Sequence, residues 1–209
     1  MSAAALLDYM MIMAVIAACW KLYDAIIPPG GADALTADPF VPAASPPSQA
    51  VPQDEIPTTP LGLELSRICA ASGSISLATI TEGAKLAYET ILQAFAAGNL
   101  TPVRHLLGPD VATAFDAAIA ERHDRGEFVQ QLFIGIRTAD VIGAQLDGTL
   151  AHIDIRFVAQ LVSSVRDAAG KLVAGDPRLV LECPEIWSFE RLTTTRDPAW
   201  MLVATGVEP

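Results

Sequence analysis

The sequence is poor in the residues that carry most protein chemistry. Its three cysteines, Cys19, Cys69 and Cys183, lie far apart and form no CxxC pair. That excludes a disulfide framework and a cysteine-based zinc site, and it fits a reducing compartment. Basic residues are also scarce: 13 Lys and Arg stand against 24 Asp and Glu, for a net charge of −11. A chain with that field repels phosphate backbones, so nucleic acid is excluded as a partner of the whole surface. There is no glycine-rich phosphate loop, no nucleophile elbow and no HExxH. The sequence therefore assigns no catalytic, cofactor-binding or metal-ligating residue, and it reads as a protein that is not an enzyme.

What it has in excess is apolar residues. They make up 52% of the chain, and the mean hydropathy is +0.39. Such values point to a membrane-associated part. Residues 1–27 supply it. The run from Ala3 to Trp20 carries one charge, Asp8, and Leu22–Ile27 extends it past Lys21. Together they reach the roughly 20 residues that a spanning helix needs. Asp8 and Lys21 snorkel to the interfaces, and Tyr9, Trp20 and Tyr23 sit where interfacial aromatics sit. The single lysine on the C-terminal flank favours a cytoplasmic C-terminus. A signal peptide would start with Lys or Arg, and this chain does not. The stretch Ile16-Ala17-Ala18-Cys19 resembles a lipoprotein cleavage box, but it lacks the same basic start.

Residues 28–60 are dense in Pro, Ala, Gly and Ser and have no regular period. Such a composition predicts a disordered tether, partly polyproline II, with Phe40 and Val41 as its main apolar handles.

Residues 61–209 read as one folded domain. Leu61, Leu65 and Ile68 predict a short helix over 61–71. Ala84, Ala87, Tyr88, Ile91, Leu92 and Phe95 make one face of a helix over 82–97. Thr81 is its expected N-cap and Gly98 its stop. Thr101-Pro102 predicts a cap and first residue for a short helix. A further helix over 110–125 carries Val111, Phe115, Ala118 and Ile119 on one side, and ends in the charged turn Arg122, His123, Asp124, Arg125.

From Phe128 the period becomes two. Leu132, Ile134 and Ile136 alternate with Gln131, Phe133, Gly135 and Arg137, and a kink is expected near 138–140. Asp147-Gly148 predicts a hairpin turn. Ala151, Ile153, Ile155, Phe157, Ala159 and Leu161 then face one way. His152, Asp154 and Arg156 face the other, which makes the outer surface their expected place. Leu179, Leu181, Cys183, Trp187 and Phe189 share a face, with Pro184 as a bulge or edge point. The last strand spans 200–205. Helices followed by a meander make an α+β domain: N-terminal helices on a curved antiparallel sheet, together a cone. Such a cone leaves an apolar pocket, with Tyr88, Phe95, Phe157, Trp187, Phe189 and Trp200 as its expected lining. Asp140 and Glu182 are the acids nearest to it in this reading.

Four collinear blocks carry a resemblance. They are GAKLAYETILQAFAAGNL (83–100), LLGPDVATAFDAAIAERHDRGE (106–127), AHIDIRFVAQLVSSVRDAAGKLVAGDP (151–177) and EIWSFERLTTTRDPAWMLVAT (185–205). As a set they resemble the Tim44-like domain family, over about residues 62–206. The family's RDPNW appears here as Arg196-Asp197-Pro198-Ala199-Trp200, and its DxW(T)F as Glu185-Ile186-Trp187-Ser188-Phe189. A membrane segment followed by a tether looks like the family's bacterial branch. The partner-binding N-terminal region of the mitochondrial import-motor adaptor has no counterpart, so a tether for an Hsp70 does not carry over.

The resemblance implies a domain of cystatin- or NTF2-like shape with an apolar pocket and no catalytic activity, in a membrane-anchored adaptor or scaffold of the inner membrane, single-pass, with a cytoplasmic domain. Its partner would be a membrane-proximal protein, a lipid, or both, in a role linked to protein translocation or membrane protein assembly. A carrier of a lipid or small apolar ligand is the alternative, and an NTF2-like enzyme the third.

Overall fold

A computed structural model describes residues 59–73, 75–195, 197 and 199–207. The expected membrane anchor and nearly all of the expected tether lie outside the described residues. Among the described residues, no helix is long and apolar enough to cross a membrane.

The domain opens with α1 (Pro60–Ala71), whose first turn is capped by the Thr59 hydroxyl accepting from the Gly62 N–H. Helix α2 (Leu77–Ala97) is longer than its apolar stripe predicts. Ser76 is the N-cap, its hydroxyl accepting from the Thr79 N–H at 3.1 Å. Thr81, expected in that role, lies inside the helix and donates to the Leu77 carbonyl. The apolar stripe begins at Ile80, where the core begins, while the backbone turns earlier at the first side chain able to cap it. Gly98 ends α2 in the left-handed region, at φ 72°.

Thr101–Leu106 form a 3₁₀ helix. Asn99, not Thr101, supplies the side-chain acceptor at its start, taking the Thr101 N–H. Helix α3 (Pro109–Asp124) follows, and Val111 and Phe115 bury its face. Gly108, just before it, lies against the last strand and donates to the Leu202 carbonyl at 2.8 Å. A Cβ there would meet that oxygen at 3.1 Å and a Val203 methyl at 3.3 Å.

Five antiparallel strands complete the domain: β1 (Phe128–Asp147), β2 (Leu150–Arg166), β3 (Leu172–Gly175), β4 (Leu181–Leu192) and β5 (Met201–Val207). The sheet order is β1-β2-β4-β5, with β3 paired to the far end of β2. The Asp147-Gly148 turn makes the first hairpin, as expected. The β2–β4 ladder runs without a register shift from Leu150↔Leu192 to Leu161↔Leu181. Pro184 sits in that ladder opposite Val158, without a bulge. Among the described residues the β5 pairing ends at Glu185, one residue short of Pro184.

The β1–β2 ladder is different. It shifts register at Phe133/Gly135, Ile136/Thr138 and Val141/Gly143. Each shift breaks the period of two. Leu132 and Ile134 are exposed, whereas Phe133 and Ile136 pack on the core. Leu132, Ile134 and Ile136 therefore do not share a face, as unbroken alternation would require. Leu179 is likewise not on the apolar face of β4. It lies in the turn that precedes the strand, donating to the Asp176 carbonyl, and is exposed.

The core sits between the helices and the sheet. Leu65, Ile68, Tyr88, Ile91, Val103 and Val111 meet Ile153, Ile155, Phe157, Trp187, Phe189 and Leu202 there. All six inward residues expected on β2 are buried.

Candidate functional site: the edge strand and its helix-lined groove

Four of the six expected pocket residues come together. Tyr88, Phe157 and Phe189 are fully buried and Trp187 nearly so. Their ring centroids lie 4.4 Å apart for Tyr88–Trp187, 4.7 Å for Tyr88–Phe157 and 6.2 Å for Trp187–Phe189. Phe95 stands apart from them, stacked at 4.9 Å on Phe115. Trp200 packs on the rim of the core, half-buried.

This cluster holds an acid that the sequence reading missed. Glu185 Oε2 accepts from Tyr88 Oη at 2.9 Å and from Trp187 Nε1 at 3.1 Å. Burial pushes the Glu185 carboxyl above the usual range, and the two donors draw it partly back. The signal was present: Cys183, Glu185, Trp187 and Phe189 share one parity on β4. Glu182, of the other parity, is exposed and accepts from Gln160. Asp140 is exposed as well. Neither of the two expected acids lies at the interior.

His152, Asp154 and Arg156 lie on the outer face, half-buried, as the alternation of β2 requires. His152 Nε2 is 3.1 Å from Asp154 Oδ1, and its Nδ1 is 3.3 Å from Glu190 Oε1. The Ser188 hydroxyl donates to the same Asp154 oxygen at 2.6 Å. A serine, a histidine and an aspartate thus meet. The hydroxyl faces the carboxylate, though, and the imidazole bridges two acids. A nucleophile needs its hydroxyl on the base, so the geometry is that of a cross-strand network. Gly143, opposite Asp154, makes room for it: a Cβ would stand 2.5 Å from Asp154 Oδ2. Among the described residues, no group of three or more His, Cys, Asp or Glu is placed to hold a metal ion.

The charged end of α3 is partly structural. Arg122 Nη2 donates to the Phe95 and Ala96 carbonyls at 3.1 and 3.2 Å, closing the C-terminus of α2. Its guanidinium carbon lies 5.5 Å from the centre of the Phe95 ring. His123, Asp124 and Arg125 stay exposed.

The open surface lies along β1. Among the described residues this strand pairs with β2 alone, so its other edge is bare. Near its C-terminal end the edge is covered, where Glu64 of α1 accepts the Leu146 N–H at 3.2 Å. Two open hollows flank the other end, between α2 and β1. One, of about 480 Å3, is lined by Gln93, Ala96 and Ala97 and by residues 129–133. The second, of about 490 Å3, is lined by Glu82, Lys85, Leu86 and Glu89 and by residues 133–136. They meet at Phe133 and form one groove. Residues 128–136 carry no charge and no proline. Phe128, Leu132 and Leu86 are 62%, 64% and 68% exposed. Edge strands are ordinarily blunted by charge, proline, a bulge or a cover; among the described residues 128–132 have none of these, and the first register shift comes at Phe133/Gly135.

Helices followed by an antiparallel meander, with an aromatic interior, define a domain of the α+β class. The family model of the Tim44-like domain matches residues 61–207. The chain belongs to the Tim44-like domain family. A solved structure, the intermembrane space region of the chloroplast protein ARC6, aligns with 61% of this chain and 95% of that one. The identity is 10% and the TM-score 0.43. No curated protein matches the chain.

Proposed function

We propose that the chain is a membrane-linked adaptor without catalytic activity, whose Tim44-like domain docks a membrane-proximal protein. One observation carries this reading: the bare, uncharged half of β1, with a helix-lined groove beside it. An apolar edge left open on an otherwise well-packed domain is a surface kept for a partner. The apolar run of residues 3–27 supports the membrane link, as a single span of the inner membrane with the domain on the cytoplasmic side. Membership of the family supports a role connected with protein translocation or membrane protein assembly.

A carrier of a lipid or small apolar ligand would need room among Tyr88, Phe157, Trp187 and Phe189. Those rings spend their faces on one another, which favours the adaptor. An NTF2-like enzyme would need an acid or base facing an open cavity, whereas the Glu185 carboxylate is taken up by Tyr88 and Trp187.

Crosslinking of the full-length chain in native membranes, followed by purification, tests the reading. A membrane protein recovered in stoichiometric amount is the expected result. Release of the chain by a carbonate wash would remove the membrane link, and the absence of any crosslinked protein would remove the adaptor.

A further inference from the structure

The groove has a chemistry of its own beyond being apolar. Its floor is the free edge of a strand, a row of backbone N–H and C=O groups in alternation. One further donor belongs to it: Gln131, whose Nε2 is buried with no hydrogen-bond partner among the described residues. Gln131 lines the first hollow, beside Ala96 and Ala97 of α2. Buried donors of this kind are costly when left unmade. An acyl chain offers them nothing. A polypeptide backbone offers alternating acceptors and donors at the spacing of the strand.

The walls set the side chains of such a guest. Phe128, Leu132 and Ile134 stand exposed along β1, and Leu86 faces them from α2. Of these, Ile134 shares the second hollow with Leu86, while Leu132, of opposite parity to the core-packed Phe133, is on the outer face of the sheet. Exposed apolar residues on both sides of the edge suit a segment with apolar residues in alternation. On the helical wall Lys85 is paired with Glu82 at 2.7 Å. Glu89 has only the neutral Gln93 amide, at 3.0 Å, as its hydrogen-bond partner. It is the carboxylate left without a cation there, on a chain of net charge −11.

We infer that the groove takes an extended polypeptide segment as an added strand. The segment pairs with β1 between Phe128 and Ile136, carries apolar residues in alternation, and places a Lys or Arg against Glu89. This inference rests on the adaptor reading and specifies how the partner is held.

The test uses the full-length chain in detergent and a fluorescein-labelled nine-residue peptide of alternating valine and lysine. A second peptide carries N-methyl groups at successive amides, so that neither of its edges keeps its donors. Fluorescence anisotropy is expected to show saturable binding of the first. The N-methylated peptide should bind at least tenfold more weakly, because its ladder donors are gone. A double variant, Leu132→Ser with Ile134→Ser, should lose about tenfold. Glu89→Gln should lose two- to threefold. Val180→Ser, an exposed residue outside the groove, should bind as the parent does.

Equal binding of both peptides would overturn the inference, as would an equal loss in Val180→Ser. So would the absence of binding together with a concentration-dependent dimer that the double variant abolishes, since the occupant is then a second copy. Displacement of the peptide by phosphatidylglycerol vesicles would make the occupant a lipid, with the same consequence. If peptide binding fails while membrane crosslinking still recovers a partner, the adaptor reading survives and only this mode is lost.

Discussion

The two halves of the sheet solve opposite problems. In β2 and β4 the ladder is unshifted over twelve pairs, and the inward side chains are closed against α2. In β1 the ladder shifts three times, and large apolar side chains stand in solvent. Both halves are rich in apolar residues, so composition does not separate them. The difference is in what faces each one. β2 has neighbours on both edges and helices over its inner face. Among the described residues β1 has one neighbour, and Phe128, Leu132, Ile134 and Ile142 stand exposed along it. A regular strand between two partners holds a fold together, while a bulged strand at an edge is free to bind.

That contrast breaks first at the interior. Phe157→Ala removes a fully buried ring that touches Tyr88 and Trp187. It should cost about 3–5 kcal/mol, as large-to-small core changes do, read by chemical denaturation. A loss below about 1 kcal/mol would mean that the aromatic cluster is not the keystone described here.

Next comes the buried acid. Tyr88→Phe takes the Tyr88 hydroxyl from Glu185 and leaves it the Trp187 indole N–H; it should cost about 1–3 kcal/mol at neutral pH. The pH dependence has a definite sign. The folded carboxyl titrates above its unfolded value because burial disfavours the charge. The stability it contributes is therefore fully present below the unfolded value, about 4.5, and is lost as pH rises through the folded one. Glu185→Gln cannot ionise, so its stability relative to the parent should improve as pH rises from 4.5. A flat difference across that window would contradict the burial of the charge.

Arg122 joins the helices that flank the sheet, because its guanidinium closes α2 from α3. Arg122→Met should cost about 1–2 kcal/mol, for hydrogen bonds from a charged donor at a helix C-terminus. The smallest effect on stability belongs to the edge. Leu132→Ser and Ile134→Ser, at exposed positions, should each change stability by no more than about 0.5 kcal/mol. A larger loss would make β1 part of the core and remove the contrast.

Much of the fold was legible because the core strands obey their period. The inward row of β2 runs from Ala151 to Leu161 in unbroken alternation, and its buried face follows directly. Gly98 and Asp147-Gly148 marked their ends for the same local reason, a backbone conformation that few other residues take up. The errors fall where a local rule has a rival. Thr81 looked like a cap because the apolar stripe starts beside it, while Ser76 caps the backbone four residues before that stripe. Leu132 and Ile134 read as partners of Ile136 because a bulge leaves no mark in a pattern of apolar residues. Glu185 was passed over as a site acid because it stands among aromatics, although its parity with Trp187 places it inside. Four of the six aromatic residues expected around a pocket, Tyr88, Phe157, Trp187 and Phe189, lie together ring against ring, while Phe95 and Trp200 stand apart. The groove escaped notice, since an open strand edge is a property of topology and no single residue encodes it.

The most direct test of the whole account is amide hydrogen exchange on the full-length chain, with and without the valine–lysine peptide. The account predicts slow exchange in β2 and β4 in both states, and fast exchange at residues 128–136 that slows when the peptide is added. Protection that appears elsewhere, or a β1 edge already protected in the free chain, would contradict it.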